Sequence, residues 1–224
     1  MVSHAALVVQ NGAGLEAWLG KVLANSLRPG TKILTLSDGI PAQEFPAGSR
    51  ITNPHFWLDP VYAQLYVREI AAALKDIDPV HAATYQRNAA AETARIQQLD
   101  TWIRSRIAQL PPSDRAMITF HDAWYYFDRR YGIRDLGSVV SSPGKEPSAA
   151  QFAALIAKAK AAHMHAIFGE PEYSPRLVQQ LADSAGIRTV TNLYDDSLGT
   201  TPALSSYEGI MHYDVDTIVN ALHG

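Results

Sequence analysis

The chain has 224 residues, 47% hydrophobic and 18% charged, with a formal net charge of −3 and no cysteine. This globular composition can bury one large core or two small ones, and it excludes disulfides and thiolate metal sites. Mild acidity without basic runs argues against nucleic acid or a membrane surface as partner, and no apolar run reaches the roughly 18 residues of a bilayer span.

The opening MVSHAALVVQNG lacks the basic region and cleavage site of a signal peptide. Within it Ala6–Gln10 reads as a short buried strand that stops at Asn11-Gly12. GLEAWLGKVLAN follows, with Leu15, Trp18, Leu19 and Leu23 at helical spacing. Pro29-Gly30 punctuates it, and TKILTLS supplies a second strand. Residues 38–50 form a Pro/Gly-rich loop without histidine. The stretch NPHFWLDP then sets His55 on a loop between Pro54 and two aromatic rings, with Asp59 as N-cap and Pro60 as first residue of the next helix. A packed or surface loop histidine is the plain alternative there.

From Pro60 the pattern is helical to about Leu110, broken at Asp78-Pro79 and closed by Pro111-Pro112. So long a helical segment suits a strut joining two lobes, whereas ordinary crossover helices are shorter. Beyond it, strand and helix alternate: MITF, DLGSVV, HAIFG and TVTNLY are each followed by a helical run. Alternation of this kind predicts an α/β fold with a parallel sheet flanked by helices. The organisation expected is residues 1–59 as an N-terminal α/β lobe, 60–112 as a helical segment, and 113–224 as a C-terminal α/β lobe.

The carboxyl ends of these last strands carry the chemistry. MITF runs to His121, HAIFG to Glu170, and TVTNLY to Asp195-Asp196. Ligands bind at that edge of open α/β sheets. Each residue has a plainer reading: Asp122 or Asp196 as a helix cap, Glu170 as a neutraliser of a helix N-terminus. Their coincidence at one edge favours a site. Imidazoles with a carboxylate suit a divalent transition metal, since calcium and magnesium prefer all-oxygen shells. A ligating imidazole needs an acceptor on its other nitrogen, a role that suits Glu170.

At these residues the sequence resembles the zinc- and manganese-binding solute-binding proteins of bacterial ABC importers, the cluster A-I group. ALVVQNGAGLEAWL is similar to that family's ADLVVxNGLGLExWL, NPHFWLDP to DPHxWLDP, and FHDAWYYFDRRYGI to FHDAFxYFxxRYGL. EPSAAQFAALIAKAKAAHMHAIFGEPEYSP and LYDDSLG correspond to later blocks in the same order. The resemblance implies two lobes of mainly parallel sheet joined by one long helix, with a metal ion held in an interlobe cleft. It implies His55, His121 and Asp196 as metal ligands, and no catalysis. Because manganese handlers of the family often have glutamate where His121 stands, Zn2+ is expected over Mn2+. It also implies an ABC permease as partner and a periplasmic or other extracytoplasmic location. The family's first metal histidine, in a PHxYEP block, precedes the stretch where this sequence begins, so an incomplete N-terminal lobe is expected.

Two other readings compete. One is a metal-dependent hydrolase at the same edge with Glu170 as general base, although no HExxH motif is present. The other is a truncated fragment without function of its own. Among the remaining histidines, His4 is read as a surface residue. His163 and His165 are placed at the strand end opposite the site, and His81, His212 and His223 on helices facing solvent. Trp124, Tyr125, Tyr126 and Phe127 read as core packing.

Overall fold

The computed structural model describes residues 2–38, 40, 53–142 and 144–223; all but Ile40 of the expected loop 38–50 that follows Asp38 lies outside them. The chain divides into two compact units, residues 1–98 and 99–224. The division falls inside the helical segment 60–112, not at either of its ends.

In the first unit, strands β1 (Leu7–Gln10) and β2 (Lys32–Thr35) pair in parallel, with Leu7 opposite Lys32 and Gln10 opposite Thr35. The helix expected over 14–25 is shorter: a 3-10 turn, Ala17–Leu19, leads into α1 (Gly20–Ser26). Its start is uncoiled because Gly12, Ala13 and Gly14 all take positive φ, at 85°, 52° and 90°. Of the four apolar residues at helical spacing only Leu23 is buried, and Trp18 is 75% exposed.

Helix α2 (Pro60–Ile77) begins as expected, with the Asp59 carboxylate accepting the Val61 N–H at 2.9 Å and Pro60 in the first turn. Asp78 breaks it, and after the 3-10 turn Pro79–His81 the long helix α3 (Ala82–Ile107) follows. Among the described residues no helix is long and apolar enough to cross a membrane.

The second unit contains β3 (Ala116–Thr119), α4 (Tyr125–Tyr131), β4 (Arg134–Ser138), α5 (Ala149–Ala161), β5 (Ala166–Phe168), α6 (Arg176–Ala185), β6 (Arg188–Val190) and α7 (Tyr207–Leu222). β3 pairs in parallel with β4 and β5 with β6, and β3 also contacts β5. An extra residue on β4 shifts the register between Met117 and Thr119, at Gly137 with φ 121°. That conformation suits glycine, and any Cβ there would lie 3.1 Å from the Leu155 side chain. TVTNLY contributes only its first residues to a strand, because the chain leaves the ladder after Val190. Leu193 N–H still reaches back to the Gly169 carbonyl at 3.1 Å.

An apolar core lies under these strands: Ile118 and Ile167 from the strands, Leu155 and Ala159 from α5, and Val178 and Leu181 from α6 are all buried. Each of these strands is apolar on both faces, as a strand covered by helices requires. Trp124, Tyr126 and Phe127 are buried, so the aromatic run is core packing. The effect for function is to hold the carboxyl ends of β3 and β5, and the loop after β6, on one rigid base.

Candidate metal centre

His121 stands two residues beyond β3 and is 2% exposed. Its carbonyl is held by the Thr119 hydroxyl at 2.7 Å and the Ala123 N–H at 3.0 Å, so the turn itself is fixed. The ring Nδ1 donates to Glu170, with both carboxylate oxygens at 2.8 Å, and the His121 backbone N–H points to Glu170 Oε1 at 3.3 Å. Glu170, two residues beyond β5, is 4% exposed. With Nδ1 carrying the proton, the lone pair of the ring sits on Nε2. On that side lies Asp196 Oδ2, 3.7 Å from Nε2. Asp195 lies behind the ring: its Oδ2 accepts the Trp124 indole N–H at 3.2 Å and is 3.9 Å from His121 Nδ1.

The plainer roles offered for Asp196 and Glu170 do not match their surroundings, since no helix starts directly after Asp196. Glu170 is turned to His121, six residues before α6 begins at Arg176.

The electrostatics are those of accumulated negative charge. Burial pushes the His121 imidazole down, but its hydrogen bond to Glu170 and the charges of Glu170, Asp196 and Asp122 outweigh this and hold it above its ordinary value. Burial, then the neighbouring Glu170 and Asp196, pushes the Asp195 carboxyl well up. Asp196 is raised by burial too, with His121 opposing and Glu170 and Glu172 adding to the rise. Tyr173 stacks on Phe120 and meets His121 edge-on. Its phenol is pushed up to about 12 by burial and by Asp196, Glu170, Asp195 and Glu172. A cation placed among these groups would relieve what desolvation and like charge now oppose.

His55, in the first unit, is 7% exposed and precedes the 3-10 turn Phe56–Leu58. Asn53 Oδ1 accepts both its backbone N–H, at 3.0 Å, and its ring Nδ1, at 2.7 Å. This fixes the tautomer with the lone pair on Nε2, as in His121. The ring packs against Trp57 with centroids 5.1 Å apart. The loop is tied to β1 by Asn11, whose amide donates to the Pro54 carbonyl at 2.9 Å while its Oδ1 accepts the Tyr66 hydroxyl at 2.6 Å.

The structure therefore brings His121, Glu170 and Asp196 together in one unit and presents His55 as a fixed imidazole in the other. Asn53 and Asn11 contribute beyond the residues singled out in the sequence, and Asp195, read there together with Asp196, proves to be the buried one of the pair. Asn53 had a legible signal, a short polar side chain two positions before a histidine. His81 and His212 are exposed as expected. His163 lies in the positive-φ turn that follows α5, and His165 precedes β5, at the end away from His121.

Comparison with known proteins gives a consistent result. The family model described as zinc-uptake complex component A, periplasmic, matches residues 1–221. The high-affinity zinc uptake system protein ZnuA of Brucella abortus is 39% identical over 136 residues, 60% of this chain and 40% of that protein. The aligned part thus spans well under half of that relative. The manganese-binding lipoprotein MntA of Halalkalibacterium halodurans is 27% identical over 99% of this chain and 73% of its own. The Mn-bound periplasmic metal-binding protein of Candidatus Liberibacter asiaticus superposes with a TM-score of 0.91 at 26% identity, covering 99% of this chain and 82% of that one.

Proposed function

The chain belongs to the family of zinc-uptake complex component A, periplasmic, and from that premise we propose that it captures a divalent transition-metal ion with His55, His121 and Asp196. The ion is then handed to the membrane permease of an ABC importer. The observation that carries this reading is the His121 arrangement, with Nδ1 donating to Glu170 and Nε2 directed at the Asp196 carboxylate 3.7 Å away. Donors sharing one ion at about 2.0–2.2 Å stand roughly 3–3.5 Å apart, so a small contraction suffices.

Each residue has a separate part. His55 and His121 each supply a neutral Nε2, because Asn53 and Glu170 hold the Nδ1 protons. Asp196 supplies charge. Two nitrogens and one carboxylate favour Zn2+ over Mn2+, whose preferred donors are oxygens. The family is one of binding proteins, and the hydrolase alternative loses its base: Glu170 is buried and engaged by the His121 ring.

Equilibrium competition tests the metal choice. At equal total Zn2+ and Mn2+ in slight excess over protein, the chain is expected to retain zinc. Retention of manganese would overturn the preference, and binding of neither ion would overturn capture itself.

A further inference from the structure

Helix α7 buries an acid where its pattern calls for an apolar residue. Among Ile210, Met211, Val215 and Ile218, Asp214 is 0% exposed. Burying a carboxyl is costly unless it is used. One oxygen is engaged, since Oδ1 accepts the backbone N–H of Tyr194 at 3.0 Å. The other, Oδ2, has no hydrogen-bond partner among the described residues.

Tyr194 directly precedes Asp195 and Asp196, in a stretch that is neither helix nor strand. Two backbone N–H groups anchor the stretch at its approach to the acids: Leu193 to the Gly169 carbonyl, and Tyr194 to Asp214. The second is the nearer to the acids. Side-chain contacts follow the same line, with Asn192 hydrogen-bonded to the Tyr213 hydroxyl and the Tyr194 and Tyr213 rings edge to face. Residues 213 and 214 of α7 thus grip residues 192 and 194 of the loop.

We infer that Asp214 is the positioning residue of the acidic loop, fixing through the Tyr194 N–H where the Asp195 and Asp196 carboxyls stand against His121. The inference deepens the metal-capture reading and rests on it for the role of Asp196. Burial, partly offset by the Tyr194 N–H and reinforced by Glu172, lifts the Asp214 pKa to about 8. At neutral pH the group is therefore chiefly protonated, and it supports the loop without adding charge to a site already rich in acids. A neutral amide of the same shape should serve equally well.

The full chain carries the test, with three readouts: the indole N–H resonance of Trp124 in the metal-free protein, zinc affinity by chelator competition, and thermal midpoint. Trp124 reports loop position because its indole donates to Asp195. Asp214→Asn should leave resonance and affinity close to the parent, whereas Asp214→Leu should move the resonance and weaken zinc by roughly 10–100-fold, as loss of an outer support does. Should the leucine variant not fold, Asp214→Ala takes its place. Ile103→Ala, a buried change in the same unit, should lower the midpoint and leave affinity unaltered. An unmoved Trp124 resonance in Asp214→Leu, or equal damage by Asp214→Asn, would overturn the positioning role. Asp196→Ala examines the metal-capture reading: affinity unchanged there removes Asp196 from the metal shell, while the Trp124 resonance of Asp214→Leu still decides the role of Asp214.

Discussion

On the proposed reading, a proton and a metal ion compete for Nε2 of His121, and the surrounding acids strengthen both competitors. The folded-state pKa lies above the ordinary 6.5. Zinc affinity should therefore begin to fall while pH is still above 6.5, as pH drops through that raised value. Without metal the sign is opposite. A raised folded pKa means that the imidazole proton stabilises the fold fully below the unfolded pKa, and that this contribution is lost as pH rises through the folded one. The raised carboxyls of Asp195 and Asp196 act in the same direction. The rise in thermal midpoint on adding zinc should consequently be larger at about pH 8 than at about pH 5.5. Equal increments at both would contradict the ligand role of His121. His121 and Glu170 are legible in the sequence because each stands two residues past the end of a short apolar strand, whereas Asp196 lies six residues beyond β6 and is marked by its LYDDSLG block and not by a strand end. Asp195 is visible beside Asp196 but not separable from it, since which of two adjacent acids turns inward depends on the loop path. Asn11 and Asp214 are not legible as supports: each acts through hydrogen bonds to groups distant in the sequence, which leaves no spacing to read.

At the scale of elements, burial differs sharply along the chain. All four residues of β3 and all three of β5 are buried, while β1 and β2 have none. Val9, Leu15, Trp18, Val22 and Ile33 are all exposed. Amides in poorly buried elements open at low free energy, so β1 and α1 should exchange hydrogen faster than β3 and β5. Equal protection of Leu7–Gln10 and Ala116–Thr119 in the monomer would contradict this. The same contrast explains what the sequence makes readable. The helices Pro60–Ile77 and Ala82–Ile107 are legible almost to the residue, because Asp59-Pro60 and Asp78-Pro79 are strong start and stop signals. Apolar spacing alone overstates the helix over 14–25, because two glycines unwind its start. TVTNLY looks like a longer strand than it forms, since β-branched residues continue past the point where the ladder ends.

For the whole molecule, the α/β class and the family are settled by the match over residues 1–221 and by the likeness to solved metal-binding proteins. The chain's two compact units each present a fixed imidazole, His55 in one and His121 in the other. The central claim is that both serve one ion together with Asp196. Loss of an outer partner costs about 10–100-fold in metal affinity, so loss of a ligand should cost at least about 100-fold. Zinc titration of alanine variants tests this most directly. His55→Ala, His121→Ala and Asp196→Ala should each weaken binding by that factor, while His163→Ala and His212→Ala should bind as the parent does. Equal affinity across all five variants, or losses confined to His163 and His212, would contradict the account.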